Sequence, residues 1–332
     1  MKALVYTDTQ KLELLDVPDP KMDPGDQLIE IDSVGICGSD MHAFLGHDSR
    51  RPAPIILGHE AAGTIVGGEY SGRSVTVNPL VTCGNCDACT AGRENLCRSR
   101  QIISMHPRQG AFAKYLAIPK NNLVVVPPEI SLEKAALAEP IACGWHAVRL
   151  SQKPLGLPLS EATCLVIGGG AIGLGAALVL KAKGASNVWI GETNKLRKNT
   201  VQDAGDFKVF NPVKEQGPEN GAVDLVIDAV GFGATRSAAS RYVRSGGVII
   251  HIGLGDAEAG LDVRRLTLQE ITFIGTYTYT RSDFQDTAQA IFHNHLGALD
   301  WVETRPLADG MSAFLDIKSG KVAAPKIILK PE

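Results

Sequence analysis

Thr163-Cys-Leu-Val-Ile-Gly-Gly-Gly-Ala-Ile-Gly-Leu174 decides how the rest of this chain is read. The first residues are apolar or β-branched and read as a short buried strand, and Gly168-Gly169-Gly170 forbids a helix from starting there. An apolar run to Leu180 then reads as a helix. Ala162 to Leu180 is nineteen residues without a charge and holds Gly169-x-x-x-Gly173, a superficial match to a membrane helix. The glycine run breaks that match. This is a strand, a turn and a helix, and no membrane association is expected.

Within the turn, Gly168-x-Gly170-x-x-Gly173 spans Ala171 and Ile172, and Glu192 follows nineteen residues after Gly173, at the end of the next strand. In dinucleotide binding the first glycine makes the turn and the second lets the backbone approach a pyrophosphate. The third lets the helix pack closely on the sheet, with its N-terminus facing the negative charge. A carboxylate at Glu192 accepts hydrogen bonds from the adenosine ribose hydroxyls and repels a 2′-phosphate, which favours NAD over NADP. Lys195 and Arg197 stand close enough to soften that preference.

Outward from this turn, Asn187–Ile190, Leu225–Val230, Val248–Ile252 and Ile271–Ile274 read as further apolar strands, most of them separated by helix-like stretches. Buried strands alternating with helices predict a parallel sheet covered on both faces. The sequence grammar before about residue 140 differs. Short alternating runs such as Gln27–Val34 and Ser74–Val77, with many Pro and Gly, suit an irregular antiparallel β domain. Ser282-x-x-Gln285 fits a capping box for a late helix with the apolar stripe Phe284, Ala288, Ile291 and Phe292. Pro325-Lys-Ile-Ile-Leu-Lys330 reads as a strand able to rejoin the first domain's sheet.

Composition agrees with a soluble two-domain protein of 332 residues, 44% hydrophobic and 21% charged. A net charge of −3 offers no basic field for nucleic acid or an acidic membrane surface. The opening Met1–Asp16 meets charge too early for a secretory signal, so a cytoplasmic location is expected. Four of the seven cysteines form Cys83-x2-Cys86-x2-Cys89-x7-Cys97. Short turns between them bring four thiolates within reach of one zinc ion, and the spacing departs from those usual for iron–sulfur clusters. Four thiolates close the coordination sphere, which makes this a structural site.

A second constellation lies upstream: Gly35-Ile-Cys37-Gly-Ser39-Asp40-Met-His42, then Gly58-His59-Glu60, with Glu139-Pro140 closing the first domain. Together with the cysteine lobe and the glycine turn, and in that order, these motifs resemble the zinc-dependent medium-chain dehydrogenase/reductase family, within the alcohol dehydrogenase superfamily. The resemblance runs over nearly the whole chain and is closest to the sorbitol/polyol and threonine dehydrogenase branch. There Glu139-Pro140 stands where the alcohol dehydrogenase branch carries a third zinc-binding cysteine.

The resemblance implies an α/β fold: a GroES-like β domain at 1–142 with a zinc lobe at 80–100, a doubly wound Rossmann domain at 143–280, and a return to the first domain over 281–332. It also implies two zinc ions per chain. Cys37 and His59 would hold the catalytic one, with Glu60 as ligand or immediate neighbour and Glu139 contacting it directly or through water. Asp40 would orient the His59 ring, while Ser39 and His42 would relay a proton to solvent. Such a metal answers a chemical need, because an aliphatic alcohol barely ionises at neutral pH. Zinc lowers a bound water's pKa from about 15.7 to about 7, on the order of 12 kcal/mol at roughly 1.36 kcal/mol per unit.

The function implied is reversible hydride transfer from a secondary alcohol, such as a polyol, to NAD, by a homodimer or homotetramer. A threonine- or butanediol-type dehydrogenase and a non-catalytic NAD- and zinc-binding scaffold are the competing readings. Where sorbitol dehydrogenases carry a Phe-Arg-Tyr-like segment, this chain has Ile271-Thr-Phe-Ile-Gly-Thr-Tyr-Thr-Tyr-Thr280, so sorbitol itself is not implied. Tyr277 and Tyr279 are candidates for the substrate cleft, although their alternation with threonine also suits a strand with one covered face. Cys143 and Cys164 read as core thiols. The remaining histidines read as structural or surface groups, and Arg50-Arg51 as a solvated loop pair with a position suited to the cleft rim.

Overall fold

A computed structural model describes residues 1–331. Its parallel sheet has six strands in the order Lys208–Phe210, Asn187–Gly191, Thr163–Ile167, Val223–Asp228, Val243–His251 and Thr272–Gly275. All neighbours pair in parallel. Numbered along the chain this is 3-2-1-4-5-6, the doubly wound arrangement, and its strand order reverses between Thr163–Ile167 and Val223–Asp228. A crevice opens there beyond the strands' C-terminal ends, where the glycine turn lies. The short strand Lys208–Phe210, three residues long, carries too little apolar pattern to be read from sequence.

The expected antiparallel domain is built around Asp26–Gly35, Glu60–Val66 and Ser74–Val77, which belong to a seven-stranded sheet. The C-terminal strand Lys326–Lys330 enters that sheet between Asp26–Gly35 and Val302–Pro306. Two large apolar cores result. One surrounds the parallel sheet with Val166, Leu174, Ile190 and Ile250, and the other fills the first domain with Leu4, Ile29, Phe44 and Phe112.

The boundaries lie elsewhere than expected. The helix Ala138–Leu155 runs unbroken through residues 142 and 143. The helix Arg281–Phe292 buries Phe284, Ala288 and Ile291 in the parallel sheet's core, so the return to the first sheet begins only at Val302.

The cap of that late helix also differs from expectation. Thr280 caps it in place of Ser282, and the reciprocal partner is Asp283 rather than Gln285. Thr280 Oγ1 accepts from the Asp283 amide at 3.2 Å, and Asp283 Oδ2 accepts from the Thr280 amide and hydroxyl at 3.1 and 2.7 Å. Asp283 wins because it is tied a second time: Arg149 grips both its oxygens at 2.6 and 2.9 Å, and His146 Nδ1 lies 2.7 Å away. His146 is thus a structural histidine. Burial alone would raise the Asp283 carboxyl, but these donors hold it well below the usual range.

A carboxylate depressed in the folded state stabilises above its unfolded pKa, about 3.9, and that contribution is lost as pH falls below it. Arg149 is half exposed, so solvent screens part of the pair. Asp283→Asn is therefore expected to cost about 2 kcal/mol at pH 7. In urea unfolding the gap to wild type should narrow between pH 4 and 3, and a gap independent of pH would contradict the assignment.

Candidate active site

The strand Asp26–Gly35 delivers the chain to Cys37, which begins the helix Gly38–Phe44. The strand Glu60–Val66 starts directly opposite, with Gly35 paired to Glu60. This register brings Cys37, His59 and Glu60 together, with one ligand atom from each within 4.8 Å of the others. Gly35 has to be a glycine for this: a Cβ there would overlap Glu60 Oε2.

Each member is held from behind. Asp40 accepts hydrogen bonds from the amides of Cys37 and Gly58, at 3.0 and 3.2 Å, fixing the two loops against each other. His59 Nδ1 faces Asp40 Oδ1 at 3.4 Å and Ser104 Oγ at 3.3 Å, which leaves Nε2 as the atom available to a metal. Burial disfavours a charged His59 ring, but Asp40 and Cys37 outweigh it and hold its proton affinity well above the usual value. Ser104 was not legible beforehand, since it belongs to no motif and arrives from a loop.

Glu60 is 1% exposed and its cation is Lys326, from the C-terminal strand. Lys326 Nζ donates to Glu60 Oε1 and to the Ile36 carbonyl, both at 2.7 Å. It also lies 2.6 Å from Oε2, pairing it by charge, while Oε2 itself is buried and accepts no hydrogen bond. A thiol, an imidazole nitrogen and an orphaned carboxylate oxygen form a donor set that suits zinc with one open position. Glu139 stands outside this cluster in the same cleft, where its Oε1 accepts from the Tyr279 hydroxyl at 2.8 Å. Burial pushes the Glu139 carboxyl up to about 7; Glu60 adds to the rise, and His59 and Tyr279 oppose it.

The four-cysteine lobe forms a second donor set. Its sulfurs approach to 3.5 Å for Cys97–Cys83, 3.6 Å for Cys86–Cys89 and 3.9 Å for Cys83–Cys89. A zinc tetrahedron with bonds of about 2.3 Å has edges of about 3.8 Å, so the set fits. Turn amides at Asn85 and Cys86 lower the Cys83 thiol and the Cys89 amide leads in lowering Cys86 to about 6, whereas burial and the neighbouring Cys86 push Cys89 up to about 12.

A cleft of about 550 Å³ joins the first domain's cluster to the crevice of the parallel sheet. Ser39 and His42, three apart on one helix, both line it, and Ser39 Oγ lies 3.3 Å from His59 Nε2. Burial lowers the His42 ring's pKa, with the nearby His47 assisting. His47 also lines the cleft rather than standing apart from it. Cys143 does too; it is a lining thiol, pushed up by burial and by Glu139, whereas Cys164 is fully buried in the core.

Two expectations about the wall are corrected. The strand ends at Gly275, so Thr276–Thr280 leaves the sheet and alternation there has no strand meaning. Tyr277 and Tyr279 both line the cleft, and Asn95 of the cysteine lobe donates to the Tyr277 carbonyl at 2.8 Å while Arg100 lies over its ring at 4.8 Å. Of Arg50 and Arg51, only Arg50 is solvated. Arg51 is 3% exposed and holds Asp48 at 2.7 Å and the Ser104 carbonyl at 3.1 Å, because a buried guanidinium needs such partners.

In the glycine turn, a Cβ on Gly173 would overlap the Gly168 carbonyl, whereas at Gly170 the same position is open space above the helix Ala171–Ala182. That opening is the cradle a pyrophosphate needs. Ile172 reaches the cleft itself. Glu192 Oε2 accepts from the Gly169 amide at 3.0 Å and Oε1 from the Asn194 amide at 2.7 Å, so the carboxylate is fixed beside the turn. Arg197 Nη1 lies 3.7 Å behind it.

Comparisons with known proteins match both parts of the chain. Residues 23–128 match the alcohol dehydrogenase GroES-like domain and residues 171–293 the zinc-binding dehydrogenase domain. Sorbitol dehydrogenase of Bacillus subtilis is 32% identical over 300 residues, covering 85% of this chain and 83% of that protein. L-galactonate-5-dehydrogenase of Escherichia coli is 35% identical over 277 residues, 79% of either chain. The structure of acetophenone reductase from Geotrichum candidum in complex with NAD superposes with a TM-score of 0.89 at 25% identity, covering 99% of this chain and 96% of that one.

The chain belongs to the zinc-dependent medium-chain dehydrogenase/reductase family, in its polyol dehydrogenase branch. It is an oxidoreductase that acts on CH–OH donors with a nicotinamide cofactor.

Glu192→Ala removes the carboxylate and frees Arg197. The ratio of NADH to NADPH affinity, measured by fluorescence titration, is expected to fall about tenfold, roughly 1.4 kcal/mol. An unchanged ratio would contradict a ribose contact.

Proposed function

We propose that this enzyme reversibly oxidises a secondary alcohol of the polyol type with NAD, in the cleft between its two domains. The observation that carries this reading is the Cys37–His59–Glu60 donor set, with its orphaned Glu60 oxygen, opening into the same cleft as Ile172 of the glycine turn. The overall step balances: a secondary alcohol and oxidised NAD give a ketone, NADH and one proton. A hydride leaves carbon for the nicotinamide and the hydroxyl proton passes to solvent.

Cys37, His59 and Glu60 would hold the catalytic zinc, and Cys83, Cys86, Cys89 and Cys97 the structural one. When bound, zinc supplies the Lewis acidity that makes the alcohol's proton labile, and the nicotinamide supplies the hydride acceptor. The chain's own residues do the rest. Ser39 stands beside His59 to take the proton first, and His42, on the same helix and lining the same cleft, accepts it next. His47, exposed, passes it outward. Ala229, Val230, Ile252 and Leu254 wall the nicotinamide side with apolar surface and exclude water. Glu139, bonded to Tyr279, fixes the opposite wall of the cleft, beside the residues that would hold the metal.

Glu192 supports NAD as the preferred cofactor. The free edge of the Thr272–Gly275 strand, beside Val263 and Leu268, each 64% exposed, supports pairing of two copies as a homodimer, with a homotetramer as the larger form. Two thiol-bearing metal sites suit a reducing compartment such as the cytoplasm. Among the described residues, no helix is long and apolar enough to cross a membrane.

Purified enzyme is expected to reduce NAD on at least one member of a panel of polyols, threonine and vicinal diols. Cys37→Ala should lower turnover by at least a thousandfold while NADH affinity stays within threefold. Loss of both together would count against a purely catalytic role for Cys37, and a silent panel would favour a non-catalytic scaffold.

A further inference from the structure

The cleft carries an arginine that the chemistry at the metal does not use. Of the charged side chains lining the cleft, Glu139 is buried at the reaction end, while Asp48, Arg50 and Arg51 form a separate trio from the loop after the helix Gly38–Phe44. Asp48 is shared. Arg51 Nη1 takes its Oδ2 at 2.7 Å, and Arg50 takes Oδ1 through Nε at 2.8 Å and Oδ2 through Nη2 at 2.9 Å. With two guanidinium groups on one carboxylate, which they hold at about 2 against the opposing effect of burial, the trio carries one net positive charge at neutral pH.

The two arginines are not equivalent. Arg51 is buried and its remaining donors go to the carbonyls of Ser104 and Ser39, so it is structural. Arg50 is 52% exposed and spends only the Nε–Nη2 edge of its fork on Asp48. Among the described residues its Nη1 has no hydrogen-bond partner. Tyr277, which the cysteine lobe fixes in place, lines the same cleft and brings a further polar group. A cation already held by a carboxylate, with one edge free, is preorganised to receive a second one.

Resting on the dehydrogenase reading above, we propose that the substrate is an anionic polyol, a polyhydroxy acid whose terminal carboxylate is bound by the free edge of Arg50 while a remote carbinol is oxidised at the metal. One net positive charge matches one carboxylate, whereas a phosphate ester, with nearly two negative charges, would remain half-compensated. The carboxylate takes no part in bond making or breaking. It sets which carbinol reaches the nicotinamide, and so acts through orientation.

The test compares hexonates (gluconate, galactonate and idonate, both enantiomers) with the corresponding neutral hexitols and with hexitol phosphates, at fixed NAD and low salt. The best hexonate is expected to exceed its hexitol in kcat/KM by at least tenfold, mostly through KM, and to exceed the phosphate ester as well. Arg50→Gln should cut the hexonate-to-hexitol ratio at least tenfold and Arg50→Lys should restore part of it. Arg50 is a surface-exposed group, so both variants are expected to fold, and thermal melting checks this. Turnover of hexitols or vicinal diols with hexonates idle, a preference for the phosphate ester, or a ratio that Arg50→Gln leaves unmoved would each overturn the anion subsite while leaving the dehydrogenase intact. Absence of turnover on the whole panel would overturn both.

Discussion

The Glu60–Lys326 pair ties the two ends of this chain into one site. Both groups are almost completely buried, at 1% and 4% exposure, and a buried charge without its partner costs several kcal/mol. Glu60 begins a strand in the first quarter of the sequence, and Lys326 begins the last strand. For the pair to close, the chain has to leave the first sheet, build the entire parallel-sheet domain, and come back beside Gly35. The cleft between the domains is a consequence of that path. Lys326 also donates to Glu60 Oε1, so only one carboxylate oxygen, Oε2, is left without a hydrogen bond.

Much of this was legible in the sequence, for reasons that differ by residue. The strand Thr163–Ile167 was legible because four apolar positions after a β-branched Thr163 end at a glycine run. The Cys83–Cys97 lobe was legible because four ligands fall within fifteen residues of sequence. Cys37, His59 and Glu60 needed the resemblance as well, since a thiol and a His–Glu pair more than twenty residues apart have no local signature. Ser104, Lys326 and the role of Asp48 were not legible at all. Each acts through a contact made by distant segments, and nothing in its own neighbourhood distinguishes it. The capping residue of the Arg281–Phe292 helix was misread for the same reason: local spacing fitted Ser282 and Gln285, while Arg149, far away in sequence, decided for Asp283.

The cysteine lobe is more than a staple on the surface. Asn95 and Arg100 reach across to Tyr277, in the segment that leaves the parallel sheet at Gly275. The next tyrosine, Tyr279, bonds Glu139 at the base of the cleft. One short segment after the parallel sheet is thus held at two points, by the cysteine lobe at Tyr277 and by the helix Ala138–Leu155 at Tyr279. A fold that tolerates change in its outer loops holds this wall of the cleft by specific polar contacts.

The central claim is that the chain holds two chemically distinct metal centres, one closed and one open to the cleft. Elemental analysis of zinc in wild type, Cys37→Ala and Cys83→Ala, each purified without added metal and then after zinc loading, tests it directly. Two zinc ions per wild-type chain, falling to one in either variant, with thermal stability lost mainly in Cys83→Ala, is the predicted result. A single zinc in the wild type that persists in Cys37→Ala, with no second site filled on loading, would contradict it.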